Sequence, residues 1–578
     1  MVALRKEQKL PGEHCATGAG HGYGKGPGFR KGHGKRPERK ITEAMSIGSS
    51  THRVKDPIPA SAPFFPEDNM ATATTLRIRR SAAERHALAG VERDIRVHDP
   101  NGRQKYLRDY HQAYLAYQAV LGREELHAEM RRADVILIAD YHALPASQRF
   151  AAEVVERLSR ESGRPVALGV EFVLARDQHV LDRWMRGEIT SEELRARLRF
   201  DAQWGYEWAP AEALLSAARK HAAAAAGLDC LPRHDLRRVN LRDRHAAAKI
   251  DELRELNPSA MVVALFGESH LAPNHIPHWL KERRPGDRIL TVLQNVDALY
   301  WQAAGEPGRV EAAQVEEDIY CVFGATPLEK YESYRMCIER WRQARTASPD
   351  PAPTLYNLID ALLRFLHVNQ YASHNGTQPR YLVDLLPEVY AREEWEALRK
   401  LLARQGAKLE EARAALEALR ERGSCYLPRL NTIFLQRFEM AGGAEEAARF
   451  VHAACRGKAG SNGHGRPPGS AEDVFYTRVL EEALAYLGSR VLYPARPGVR
   501  REELRALYAQ PDPLLELTGE ILESAGQQLG QMLGTDLYDA YLEARLTRRF
   551  LRSLYFRRLD APGAARAAYF QTLRRLKS

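Results

Sequence analysis

Cysteine is scarce in this sequence, and no two cysteines lie close together. The six cysteines are scattered over 578 residues without a Cys-x-x-Cys pair. A disulfide framework and a structural zinc site both need cysteines at short, regular spacing, so we expect neither. The first residues also lack the apolar core of a signal peptide. We therefore predict a cytoplasmic protein with reduced thiols.

Long apolar runs are missing as well. No run approaches the roughly 20 residues that cross a bilayer as a helix, so we expect no membrane span. The hydrophobic content of 44% and the charged content of 28% are ordinary for a globular protein. A chain of 578 residues is too long for one hydrophobic core, which predicts two or three domains.

Acidic residues are few at the beginning of the chain. Residues 1–80 hold 15 Lys and Arg against 7 Asp and Glu, a net +8 out of the total +10. The remainder is close to neutral, so we expect no nucleic-acid binding by the folded part. Residues 1–69 are rich in Gly, His, Lys, Arg and Pro and cannot bury enough apolar surface to offset their ordering entropy. We predict a disordered, basic Gly/His-rich tail there.

From residue 70 to residue 309, apolar runs of strand length alternate with helical patterns. Several of these runs are apolar on consecutive positions, which is typical of strands buried on both faces of a parallel sheet. The alternation predicts an α/β domain with a mostly parallel sheet and flanking helices. The predicted strands are 133–140, 165–173, a short 227–232, 261–266 and 287–295.

Residues 310–578 have a different pattern. Strand candidates vanish there and helical periods dominate, without a fixed-period repeat that would indicate a solenoid. We predict a mainly α-helical C-terminal domain of irregular packing. Residues 456–470 are rich in Gly, Ser and Pro and predict a flexible loop.

Acidic and histidine side chains follow three of the predicted strands. Asp140 and His142 end the first strand, Glu171 lies near the end of the second, and Glu268 and His270 follow the fourth. Right-handed crossovers would make these strands parallel, and the carboxyl edge of a parallel sheet is where open α/β folds bind ligands. The sequence therefore predicts one pocket that contains all five residues.

Two chemistries fit such a pocket. The first is a divalent metal site for Fe, Mn or Zn, because imidazoles and carboxylates are its usual ligands. The metal ligands would be Asp140, His142, Glu171, Glu268 and His270. The second is a metal-free acid/base site in which the carboxylates tune a histidine. A helix cap or a local hydrogen bond explains any one of these residues equally well, and only the group of five favours a site.

These motifs resemble the haem-binding uptake/Tiki superfamily, and its ChaN-like branch in particular. Residues 139–142 and 267–270 share a small–acid–x–His pattern with that branch, as with the related erythromycin-esterase and TraB/Tiki branches. Arg242-Asp243 resembles its Arg-containing helix, and residues 204–210 resemble its aromatic segment. The resemblance covers about residues 105–300. It implies an α/β fold with a mostly parallel sheet, and either haem binding or hydrolase activity, in some members metal-dependent.

The resemblance implies different roles in the two cases. In a hydrolase acting on a small molecule or a peptide, His142 or His270 would activate water, with Glu171, Glu268 and Asp140 holding a metal or tuning the imidazoles. Arg242 would stabilise developing negative charge. In a haem binder, the residues that approach the iron or cover the ring would be Tyr141, His142, His270 and Trp204.

One departure from the family pattern favours a third function. Ala139-Asp140 stands where the family has Gly-Glu, and Asp is one methylene shorter than Glu. A pocket degenerate in this way would suit a non-catalytic scaffold whose helical domain binds a protein partner. The two further histidines after the second motif, His275 and His278, are predicted to be turn or capping residues.

Overall fold

The structure is a computed structural model. It describes residues 67–99, 105–233, 239–342, 350–369, 385–391, 395–460, 470–516 and 519–577. Residues 1–66 of the predicted tail and residues 461–469 of the predicted loop lie outside this range. The described residues from Asp68 onward belong to one compact unit.

Helices alternate with strands in the first half of the chain and predominate in the second half. The helices of the first half are α1 Glu67–His98, α2 Lys105–Ala113, α3 Arg123–Arg131, α4 Pro145–Glu161, α5 Gln178–Met185, α6 Ser191–Arg197, α7 Phe200–Gln203, α8 Trp208–His221, α9 Val239–Leu256, α10 Ile276–Arg283 and α11 Asp297–Ala303. Those of the second half are α12 Pro327–Arg342, α13 Ala352–Phe365, α14 Trp395–Arg404, α15 Leu409–Arg422, α16 Met440–Cys455, α17 Ala471–Leu492, α18 Arg505–Ala509, α19 Gly519–Leu542, α20 Arg548–Tyr555 and α21 Ala564–Lys577.

The strands form two sheets. The large sheet contains β1 Ala119–Leu121, β2 Val135–Asp140, β3 Val166–Leu174, β4 Ala224–Asp229, β5 Met261–Gly267, β6 Ile289–Gln294, β7 Ala312–Glu316 and β8 Ile319–Val322. The small sheet contains β9 Glu388–Ala391, β10 Ser424–Leu427 and β11 Thr432–Leu435. The order in the large sheet is β1-β7-β8-β6-β2-β5-β3-β4.

The centre of the large sheet is parallel, as predicted. β8, β6, β2, β5, β3 and β4 are paired in parallel, while β7 is antiparallel to both β1 and β8. Every residue of β2, β3 and β5 is buried, which accounts for their unbroken apolar runs. The predicted mostly parallel sheet with flanking helices is therefore confirmed.

Helices cover both faces of this sheet because successive strand residues point to opposite sides. On one face Ile136, Leu168 and Val263 pack in a core with residues of α4 and α8. On the other face Leu137 and Ala264 belong to a core shared with residues of α9 and α10. Because helices cover both faces of the sheet, a ligand can approach it only at the ends of the strands, and the predicted site residues lie at the carboxyl ends.

Two features of the secondary structure differ from the prediction. Strands do not stop near residue 310, since β7 and β8 form a hairpin that extends the large sheet, and β9, β10 and β11 form the small sheet. These strands have at most five residues, too few for a periodic pattern to stand out. β4 begins at Ala224, three residues before the predicted strand, because pairing with β3 overrides the helix preference of its alanines.

The second half is largely helical, as predicted. Its longest helices are α17 and α19, which pack against each other, and α16 also packs against α17. Close approach of α17 and α19 depends on glycines: a Cβ added at Gly530 would lie 2.5 Å from Glu482 Cβ. Among the described helices, none is long and apolar enough to cross a membrane.

Candidate functional site

Of the five residues predicted to share a pocket, Asp140, His142 and Glu268 line one cavity, whereas Glu171 and His270 do not line it but connect to this group through His142 and Arg242. β5 lies between β2 and β3 in the sheet, and Asp140 at the end of β2 is in register with Gly267 at the end of β5. Their carboxyl ends therefore meet at one edge. His142 lies 3.6 Å from Glu171, and Glu171 connects through Arg242 to His270. Glu268 lines the same cavity as Asp140 and His142.

The first acid–histidine pair is Asp140 with His142. His142 Nδ1 lies 2.8 Å from Asp140 Oδ2, and Gln148 Nε2 donates to the other oxygen of Asp140 at 2.5 Å. Burial raises the pKa of Asp140 above its ordinary value, although His142 and Gln148 oppose the shift. With Nδ1 held by Asp140, Nε2 is the ring nitrogen left to exchange a proton.

Glu171 is held as a carboxylate in the middle of the site. Arg242 Nη2 donates to its Oε1 at 2.7 Å, and the Gly267 N–H donates to its Oε2 at 2.6 Å. Burial by itself would raise the pKa of Glu171, but His142, Arg242, His270 and the Gly267 N–H together lower it below the usual value. Its fixed negative charge lies beside His142 Nε2.

Arg242 is anchored by a residue that the sequence reading missed. Its guanidinium makes two hydrogen bonds of 2.9 Å to Asp229, which also accepts from Arg233 at 2.6 Å. Arg233 in turn donates to the backbone oxygen of Glu171 at 2.7 Å. Asp229 ends β4 as Asp140 ends β2, so correct bounds for β4 would have pointed to it.

The second acid–histidine pair is His270 with Asp243. His270 Nδ1 lies 2.5 Å from Asp243 Oδ1, and His275 Nδ1 lies 2.7 Å from the other oxygen. Burial alone would raise the pKa of Asp243, but both histidines lower it below the usual value. His275 thus contacts the site, beyond its predicted role in a turn. His278 is exposed and pairs with Glu282.

Glu268 is paired with a cation from outside the sheet. Lys330 Nζ, on α12, donates to Glu268 Oε2 at 3.0 Å, and the lysine is 1% exposed. No sequence pattern pointed to Lys330, because it lies inside a helix and is 62 positions away from Glu268 in the chain.

The cavity between these groups is small. Its volume is about 20 Å³, enough for about one water molecule with several polar partners. Its lining residues are Asp140, Tyr141, His142, Ala143, Tyr206, Gly267, Glu268, Ser269 and Tyr334. The predicted cofactor contact Trp204 does not line the cavity but packs on His142 with ring centres 4.4 Å apart. Tyr141 does line it.

Gly267 leaves room for the acid–histidine pair. A Cβ added there would lie 3.1 Å from Glu171 Oε2 and 3.1 Å from His142 Nε2, closer than nearly all real contacts of this kind. A side chain at this position would therefore push on the two groups at the centre of the site.

The donor set does not fit a metal ion. Within the described residues, no group of three or more His, Cys, Asp or Glu side chains is arranged to hold one. The carboxylates are already paired, Glu171 with Arg242 and Glu268 with Lys330. The predicted Fe, Mn or Zn site is thus not supported.

A porphyrin does not fit the cavity either. Ligand pockets usually measure about 300–1,000 Å³, far above the volume of about 20 Å³ found here. His142 and His270 each have one nitrogen on an aspartate, and Lys330 Nζ lies 4.7 Å from the ring centre of Tyr141. The assignment of Tyr141, His142, His270 and Trp204 to haem stays a prediction that requires this pocket to open.

Part of this site lies in a segment of the chain that matches a known family model. Residues 126–259 match the model described as haem-binding uptake, Tiki superfamily, ChaN. That segment contains Asp140, His142, Glu171 and Arg242, whereas Glu268 follows it. No curated protein matches the chain.

Two solved structures are similar to parts of the chain. One describes cofacial haem binding to ChaN of Campylobacter jejuni, with 16% identity, 30% of this chain and 86% of that chain covered, and a TM-score of 0.26. The other is the type III effector HopBA1, with 13% identity, 37% of this chain and 98% of that chain covered, and a TM-score of 0.27.

Proposed function

Starting from the match of residues 126–259 to the ChaN model of the Tiki superfamily, we propose that this chain is a hydrolase whose general base is His142. The observation that carries the proposal is the Asp140–His142 pair, which borders a cavity the size of one water molecule at the carboxyl edge of the sheet. An oriented imidazole beside such a space is the arrangement that water activation needs. A substrate would reach it only through the same opening of the pocket that haem requires.

The reaction is the addition of water across an ester, amide or phosphate-ester bond. His142 Nε2 takes one proton from the water while the water oxygen bonds to the electrophilic carbon or phosphorus. The imidazolium then gives that proton to the leaving group as the scissile bond breaks. Glu268, on the cavity wall, accepts a hydrogen bond from the second proton and orients the water.

Two carboxyl groups flank the imidazole of His142. Asp140 lies 2.8 Å from Nδ1, and Glu171 lies 3.6 Å from Nε2. Arg242 keeps Glu171 ionised, and the two hydrogen bonds that Arg242 donates to Asp229 hold the guanidinium in place. Arg242 is then a positioning residue that acts through Glu171, in place of the direct contact with developing charge expected from the family.

The test is a panel of activated esters, amides and phosphate esters with the purified full-length chain. We expect turnover of at least one class, and a loss of about 100-fold or more in kcat/KM in His142→Gln, the range for removal of a general base. The matched control is His278→Gln, an exposed histidine, which should retain the activity of the unmodified chain. Equal turnover by His142→Gln and the unmodified chain would overturn the proposal.

Haem is the second candidate ligand, favoured by the family match to residues 126–259. Titration of the full-length chain with haemin tests it, because ligation shifts the Soret band. A saturable shift at one haem per chain that is lost in Tyr141→Phe or His142→Gln would support binding at the strand-end pocket. A shift that survives both substitutions, or no shift, would refute it there.

A further inference from the structure

Lys330 is the most unusual side chain near the cavity. It is 1% exposed, and a buried ammonium is costly unless it is paired and hydrogen-bonded. Its Nζ donates to Glu268 Oε2 at 3.0 Å and to the backbone oxygen of Asn295 at 3.3 Å. The ring of Tyr141 lies below it at 4.7 Å.

A second carboxylate is within reach of the same ammonium. Asp297 Oδ1 lies 3.8 Å from Lys330 Nζ, beyond hydrogen-bond distance. Burial alone would lower the pKa of Lys330, but Glu268 and Asp297 raise it above the usual value, so the amine stays charged at neutral pH. The charge is therefore permanent and is directed to Glu268, the carboxylate that lines the cavity.

The helix that carries Lys330 also closes the cavity. Tyr334, one turn further along α12, lines the cavity, and its hydroxyl donates to Asp99 at 2.6 Å. Trp341, near the end of α12, donates through Nε1 to the Gly205 oxygen at 2.8 Å and packs on Tyr206. The middle and the C-terminal end of α12 are thus held at the site, so the position of Lys330 relative to Glu268 is set by the fold.

We propose that Lys330 is a positioning residue of the hydrolytic site, which holds the Glu268 carboxylate turned toward the catalytic water. The inference rests on the proposed function of His142. It adds that the site is completed by α12, outside the family-matched segment 126–259.

A double-mutant cycle tests this role in the full-length chain. The variants are Lys330→Met, Glu268→Gln and the two combined, with circular dichroism confirming that each is folded at the assay temperature. If Lys330 acts through Glu268, each single change lowers kcat by about tenfold or more, and the double variant loses no more than Glu268→Gln alone. Lys330→Arg should recover part of the loss. Lys249→Met, a partly exposed lysine paired with Glu252, is the matched control and should not change kcat.

A second measurement needs no substrate. Mass spectrometry after brief treatment with an acetylating reagent gives the reaction rate of each lysine. We expect Lys330 in the unmodified chain to react at least about tenfold more slowly than Lys249, because its amine is protonated and buried. In Glu268→Gln the rate at Lys330 should rise while that at Lys249 stays unchanged.

The outcomes separate this inference from the proposed function. If His142→Gln is inactive but Lys330→Met keeps the kcat of the unmodified chain, or if the two losses multiply in the double variant, the role of Lys330 is refuted and the hydrolase proposal stands. Acetylation of Lys330 as fast as Lys249 likewise refutes its pairing with Glu268. If His142→Gln and the unmodified chain turn over equally, the hydrolase proposal falls, and this inference falls with it.

Discussion

Buried charge is the dominant feature of the site at the scale of single residues. Glu171, Asp229 and Arg242 are each at most 3% exposed, yet all three carry charge in one hydrogen-bonded cluster. Such a cluster tolerates no missing member, because removing one partner leaves the others charged and desolvated. The same residues therefore determine both the stability of the chain and the orientation of the side chains in the site.

Arg242→Met should therefore destabilise the chain strongly. The loss leaves Glu171 and Asp229 without their shared cation, and we expect the free energy of unfolding to fall by about 3–5 kcal/mol in urea denaturation. Arg164→Met is the control, because Arg164 and its partner Asp134, 3.0 Å away, have side chains that are 30% and 26% exposed. This change should lower the free energy of unfolding by about 1 kcal/mol or less. Equal losses in the two variants would contradict the prediction.

The lowered pKa of Glu171 predicts how stability depends on acid. Burial opposes the lowering of this pKa, but the neighbouring charges, led by His142 and Arg242, outweigh it and favour the carboxylate. The folded chain therefore binds a proton at Glu171 less readily than the unfolded chain does. The contribution of Glu171 is complete above the usual value of 4.5 and is lost as the pH falls below it. We expect the free energy of unfolding to fall more steeply below pH 4.5 in the unmodified chain than in Glu171→Gln.

Urea denaturation between about pH 3 and pH 6 measures this difference, which is at most about 1.4 kcal/mol per pH unit for one group. Glu396→Gln, at a position whose side chain is 64% exposed, is the control and should keep the slope of the unmodified chain. The same slope in Glu171→Gln and the unmodified chain would contradict the assignment of Glu171 as a buried carboxylate.

At the scale of elements, glycines set how closely helices approach. Gly526, Gly530 and Gly534 recur every four residues along α19 and so lie on one face of the helix. A Cβ at Gly534 would lie 2.5 Å from the Ala483 oxygen on α17, whereas one at Gly526 would meet Phe475 at an ordinary 3.5 Å. Two of the three glycines are thus required by contact with α17, and one is not.

Alanine substitutions on this face should have opposite effects on stability. Gly530→Ala and Gly534→Ala force α17 and α19 apart, and we expect each to lower the free energy of unfolding by about 1–3 kcal/mol. Gly526→Ala keeps the contact and gains helix propensity, so it should raise the free energy of unfolding by up to about 1 kcal/mol. Thermal denaturation of the three variants gives the signs, and a loss of stability in all three would contradict the contacts described.

At the scale of the whole molecule, the family-matched segment is only part of a larger compact unit. Residues 126–259 contain β2, β3 and β4, but β2 pairs with β5 and β6, and β3 pairs with β5. β5, the strand between β2 and β3, thus lies outside the segment. A cut at residue 310, before the helical part, would likewise remove β7, β8 and α12 from the sheet and from the site. Protein-partner binding by the helical part stays a prediction.

The isolated fragment 126–259 should therefore not fold. Without β5, the first two strands of the fragment have no neighbour between them, and the apolar residues on both of their faces would be exposed to water. We expect no cooperative thermal transition by circular dichroism, in contrast to the full-length chain under the same conditions. A cooperative melt of the fragment would show that the segment is an independent domain.

The sequence alone determined the local features: where β2, β3, β5 and β6 run, and that Asp140, His142, Glu171, Glu268 and His270 lie at one edge. Periodicity and parallel crossovers suffice for this, since the carboxyl ends of parallel strands must meet. Only the tertiary structure decided that β5 separates β2 from β3, that Asp229 anchors Arg242, and that Lys330 pairs with Glu268. Those contacts join elements far apart in the chain, and no local pattern records which distant residue neutralises a buried charge. The size of the cavity was likewise beyond the sequence, because it depends on how α12 packs over the sheet edge.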